Sequence, residues 1–139
     1  MEATMRSASE SYGFARGYEP VVGRVLIASL FLIAGLRKAT NWTATMAVFS
    51  KLGVPLAEVV LPLVVLLELG GGLMLVFGWR VRWVAYVLAA FTLAAGIIGH
   101  AFWSADAAQF RNQLNHFLKN LAVCGGLVCL ACMARRPPT

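Results

Sequence analysis

The chain has 139 residues, 60% of them hydrophobic, and 13 glycines raise the apolar share to roughly 69%, against about 45–50% for a soluble domain on the same count. Only 13% of residues are charged and mean hydropathy is +0.75, which excludes a disordered chain and argues against an ordinary soluble enzyme. Twelve basic residues against 6 acidic give a net charge of +6, but Lys and Arg stand singly or in pairs between apolar runs, as at the ends of membrane helices. Membrane lipid is therefore the expected partner, and nucleic acid is not.

Residues 1–20 read as a polar N-terminal segment, carrying Glu2, Arg6, Glu10, Arg16 and Glu19. The first apolar run predicts a helix over about 21–38, interrupted only by Arg24. It is read as an uncleaved span, because the segment before it is long and partly acidic, and Arg37-Lys38 stands where a signal-peptide cleavage site would follow. The second run predicts a helix over 56–78, with Glu58 and Glu68 as its charges and Pro62 in its body. The third covers 82–102, rich in Ala and Gly, and the fourth 117–134. Residues 37–55 and 103–116 read as loops.

Nothing alternates as a membrane strand does. The expected fold is all-α: an integral membrane four-helix bundle over residues 21–136. An even number of crossings puts both termini on one side. That side would carry Arg6, Arg16, Arg24, Arg80, Arg82, Arg135 and Arg136, and the other Arg37, Lys38, Lys51, Arg111 and Lys119. The positive-inside rule then favours cytoplasmic N- and C-termini. Small residues such as Gly70, Gly71 and Gly72 read as helix-contact positions.

Packing leaves some polar residues unexplained. Glu68 would lie near mid-membrane, roughly 18 Å along its helix, where a carboxylate persists only if paired, protonated or used. It is either one half of a buried Glu–Arg or Glu–His tie between helices, or a group that relays a proton or binds a ligand. His100 would close the third helix and His116 precede the fourth. Lys38 and Lys119-Asn120 would stand at helix ends on the same side, with Arg37 and Arg111 near in sequence. Such a ring suits an anion or the carbonyl oxygens of a quinone, or merely anchors helix ends. Two histidines at this spacing do not make a metal site. Cys124, Cys129 and Cys132 all fall in the last run. The CxxC among them would lie at the cytoplasmic end and is read as buried, reduced and inert.

Arg24, Phe31, Gly35 and Lys38, then Pro62, Glu68-Leu69-Gly70-Gly71-Gly72 and Gly78, then His100-Ala101-Phe102-Trp103 and the stretch Gln113 to Leu121 together resemble the DoxX family of small bacterial membrane proteins, from about Val21 to Met133. The resemblance implies a four-helix multi-pass protein of the bacterial cytoplasmic (inner) membrane. It also implies redox work: a quinone-reducing thiosulfate oxidoreductase contains a related subunit, and other members accompany oxidative or quinone stress defence. Arg24, Lys38, Glu68, His100 and Asn120 match the family's polar pattern.

The chain carries no flavin, haem or dinucleotide fingerprint. Electrons would thus need a bound quinone or a partner subunit. The leading expectation is an accessory subunit of a redox system rather than a stand-alone enzyme. It would take a quinone or small anion near the outer face, with Lys38, His100, His116, Lys119 and Asn120 around the ligand. Glu68 and His100 would handle protons, and Arg24 would serve as a structural tie or a lipid-phosphate contact. Two alternatives stand beside it: a non-catalytic scaffold or assembly factor, and a proton-coupled small-molecule exporter working as a homo-oligomer.

Overall fold

The structure, a computed structural model, describes the backbone of residues 2–134 and the side chains of Tyr18 and of residues 20–134. Five α-helices follow one another: α1 Glu2–Thr40, α2 Trp42–Lys51, α3 Ala57–Phe77, α4 Val81–Gly99 and α5 Phe110–Met133, with a 3-10 turn at Phe102–Ser104. Four segments are long and apolar enough to cross a membrane: Pro20–Thr40, Ala57–Phe77, Val81–Ser104 and Phe110–Met133.

The element boundaries differ from the sequence expectation in three places. The first helix begins at Glu2 rather than 21 and runs through Pro20, because hydropathy marks the part that crosses lipid, whereas a helix needs only its backbone bonds. Residues 37–55 are not an open loop; they contain α2, too short to cross a membrane at ~1.5 Å per residue but amphipathic. The last helix begins at Phe110 rather than 117. Asp106 starts it: Oδ1 accepts from the Gln109 amide at 2.8 Å and its carbonyl from Phe110 at 2.9 Å. Two polar turns are thereby recruited into α5, so His116, Lys119 and Asn120 lie within the helix rather than before or at its start.

α3 is apolar but for Glu58 and Glu68, and it ends in a motif that its sequence dictates. Gly78 takes a left-handed conformation, φ 75°. Its amide donates to Leu75 O at 3.2 Å, and the Trp79 amide donates to Met74 O at 2.9 Å, the two bonds of a Schellman stop. Arg80, also left-handed at φ 48°, opens α4 directly.

The helices run antiparallel to their neighbours, α1 packing mainly on α3 and α4 mainly on α5. Small residues set the first contact. A Cβ on Gly35 would fall 2.9 Å from Leu69 Cγ, and one on Gly72 2.8 Å from Leu32, so only glycine permits that approach. The main core gathers Ala28, Phe31, Leu75, Ala85, Leu88 and Leu127. Most of these lie in the half of the bundle near the α3–α4 turn, and Phe31 stands at the boundary, where it also lines the cavity described below.

The thiols need a correction. Cys129 and Cys132 are exposed, not buried, and Cys124 is half-buried, because Leu127, Leu130 and Ala131 occupy the inward face of α5. Cys124 Sγ donates to Ala89 O at 3.3 Å. Of the arginines counted for orientation, Arg6, Arg16, Arg135 and Arg136 lie outside the described side chains, as do Glu2, Glu10 and Glu19.

Candidate functional site

The half of the bundle away from that core holds a half-open cavity. This cavity, of about 530 Å³, lies among α1, α3, α4 and α5, and α2 and the residues after it contribute Val48, Phe49, Leu52 and Val54 to its wall. Its surface is mostly aliphatic and aromatic. The polar side chains that reach it are Lys38, Glu68, Thr92, His100 and Asn120, each from a different position in the bundle. An apolar chamber of a few hundred Å³ with a few converging polar groups is the usual form of a small-molecule site.

Glu68 is 4% exposed and about 16 Å from the start of α3 by helical rise. Lys38, in the last turn of α1, reaches down to it. Lys38 Nζ donates to Oε1 at 2.8 Å and to Oε2 at 2.9 Å, so both carboxylate oxygens are held by one ammonium. Glu68 does tie two helices together, but its partner is Lys38 rather than the arginine or histidine expected from sequence, because the end of α1 lies beside the middle of α3. Lys38 retains a third N–H and 25% of its side-chain exposure. The pair is therefore both a clamp and a polar surface of the cavity.

His100 follows the last turn of α4, its amide donating to Gly96 O at 3.0 Å. Its Nδ1 donates to Gln113 Oε1 at 3.0 Å, which leaves Nε2 as the acceptor of the neutral ring. His116 stacks on it, ring centroids 4.8 Å apart at 16°. Asn120 fits between α4 and α5 because Gly96 is opposite; a Cβ there would fall 3.2 Å from Asn120 Nδ2. Thr92 is spent locally, Oγ1 donating to Leu88 O at 2.7 Å.

Four of the residues singled out from sequence thus converge: Lys38, Glu68, His100 and Asn120. His116 touches the group only through His100, while Lys119, Arg37 and Arg111 are exposed and do not line the cavity. Arg24 lies half-buried in the other half of the bundle, its guanidinium against Gly78. Among the described residues no three His, Cys, Asp or Glu side chains group as metal ligands.

Sequence reasoning missed the α2 wall and Gln113. The wall had a legible signal, since Val48, Phe49 and Leu52 repeat at helical spacing inside the supposed loop. Gln113 had none, because its role depends on the register of α5 against α4.

Comparison with known proteins bears on the same residues. The DoxX family model matches residues 20–101, more than half the chain. The chain belongs to the DoxX family. It is 40% identical over 111 residues, 80% of each chain, to inner membrane protein YqjF of Escherichia coli (strain K12). It is 25% identical over 120 residues, 86% of each chain, to inner membrane protein YphA of the same organism. No solved structure matches it. With four apolar helices of crossing length, this DoxX protein is a multi-pass protein of the inner membrane, like these relatives. The family match contains Lys38, Glu68 and His100; Asn120 lies beyond it.

Proposed function

We propose that this DoxX protein is an accessory membrane subunit of a redox system and that its cavity receives the head of a quinone. One observation carries the reading: a largely apolar chamber of about 530 Å³ with Lys38, Glu68, His100 and Asn120 in its wall. A quinone head is a flat apolar ring with two carbonyl oxygens that need donors. The residues fit that chemistry. Asn120 has an amide with no hydrogen bond to a described residue, and Lys38 has an unused N–H.

When bound, a quinone would supply two-electron, two-proton carrier chemistry, the electrons coming from a partner subunit. The chain's own contribution is to place donors, exclude water and hold protons nearby. Glu68 serves as the proton acceptor kept in place by Lys38, and His100, backed by Gln113 and His116, stands toward the connecting loops. With both termini cytoplasmic, as the charge count favours, that end faces outward.

The test is mass spectrometry of protein extracted gently with its native lipid, with quinone quantified against protein. Stoichiometric quinone, lost in Glu68→Gln or His100→Ala, supports the reading. Quinone no higher than the lipid background overturns it.

The bidentate Lys38–Glu68 contact also favours a second reading, a non-catalytic scaffold whose polar residues fasten helices. It predicts that Glu68→Gln lowers thermal stability and that no small molecule co-purifies at any stage.

A further inference from the structure

At the opposite end of the bundle, three arginines meet the turn between α3 and α4. Arg24 reaches there from α1: a Cβ built on Gly78 would lie 3.2 Å from its Nη1 and 3.3 Å from its Cζ and Nη2. The guanidinium thus lies on the bare backbone of the turn. Arg82 is half-buried in the first turn of α4, with its Cζ 5.4 Å from the Trp83 ring centroid. Arg80, exposed, stands between them in sequence.

The Nε atoms of both Arg24 and Arg82 are buried and have no hydrogen-bond partner. Neither arginine forms an ion pair among the described residues. The described carboxylates lie elsewhere: Glu58 opens α3 at its far end, Glu68 is held by Lys38, and Asp106 precedes α5. Guanidinium remains charged at any physiological pH, so this end of the molecule carries positive charge that the described chain does not neutralise.

We propose that Arg24 and Arg82, with Arg80 at the rim, form a site for a phosphate group. The chemistry is specific: a guanidinium presents a planar fork of N–H donors that matches two oxygens of a phosphate. The location suits a phospholipid headgroup. The apolar segments end at Phe77 and resume at Val81, so the turn lies at the edge of the hydrocarbon. Trp79 and Trp83 are each 62% exposed beside it, as aromatic side chains are at the headgroup level. Arg24 lies about 6 Å inside the start of its span by helical rise and points its head back toward the boundary, as long basic side chains do. The site is independent of the quinone reading, being at the other end of the bundle.

The full chain in neutral detergent would be titrated with phosphatidylglycerol, phosphatidylcholine and inorganic phosphate, with adducts counted by native mass spectrometry. Phosphatidylglycerol should be retained in preference to phosphatidylcholine. Arg24→Gln and Arg82→Gln should each lower its occupancy about tenfold, the scale of one lost charge-assisted hydrogen bond. Arg111→Gln, at the other end, should not. If inorganic phosphate displaces the lipid and binds with the same arginine dependence, the site is one for free phosphate. Equal retention of both lipids, or equal loss in Arg111→Gln, overturns the proposal. Should Arg24→Gln fail to fold, Arg82→Gln alone and Arg24→Lys, which keeps the charge but loses the fork, decide the matter.

Discussion

Lys38 and Glu68, 30 residues apart in the chain, neutralise each other inside the bundle, and their energetics separate structure from function. Removing one partner of a buried pair leaves the other charge uncompensated, at a cost of about 3–5 kcal/mol, whereas replacing both by uncharged groups of similar volume is often neutral or better. Because a quarter of Lys38 stays uncovered, the lower end of that range applies to Glu68→Gln, which leaves that ammonium behind, and the upper end to Lys38→Met, which leaves the buried carboxylate. The expected result in detergent thermal denaturation is a clear loss of Tm for Lys38→Met and for Glu68→Gln singly, and recovery in the double variant. If the double variant also regains bound quinone, the pair is only a clamp. If it is stable and empty, the pair is part of the ligand site. Glu68 could be singled out from sequence because a mid-membrane carboxylate needs a reason to be there. Its partner could not, since Lys38 was one of several basic residues near helix ends.

At the scale of the element, glycines in α3 that look equivalent in sequence do different work. Gly72 faces α1, with Leu32 Cγ 2.8 Å and Ala28 O 3.3 Å from a built Cβ, while Gly70 has nothing within 4 Å. Gly72→Ala should therefore destabilise by about 1–3 kcal/mol, the usual cost of overpacking. Gly70→Ala should be neutral or slightly stabilising, by up to about 1 kcal/mol of helix propensity. Paired Tm measurements check both; equal effects would mean that α1 and α3 do not meet in this register. α2 shows the limit of reading by hydropathy: its apolar face is a wall only because α3 and α1 lie beside it.

Across the whole molecule, the bundle divides into a filled half and a half that holds the cavity. In the filled half Leu88 is fully buried, and Leu88→Ala should cost about 2–5 kcal/mol through lost contact and a residual void. In the other half Ala95 lines the cavity. Ala95→Phe should occupy that space with a small change in Tm, while displacing any resident quinone. A large destabilisation by Ala95→Phe would show that the chamber is closed by packing rather than kept open. A scaffold alone has no need of such a chamber, so Ala95→Phe also weighs the two functional readings.

The sequence by itself determined the class of molecule, the number of crossings and most of their extents, because those follow from the free energy of moving each side chain into lipid, which sums locally along the chain. It also marked Glu68, His100, Lys38 and Asn120 as polar groups in costly places. What only the tertiary structure decided is which of them meet. The antiparallel register of α1 on α3, set by Gly35 and Gly72, puts Lys38 on Glu68, and that of α5 on α4 puts Gln113 and His116 on His100. The same registers leave Lys119 outside and lay the Arg24 head against Gly78 at the far turn. Register depends on how whole helix faces interlock, and no local sum over residues contains it.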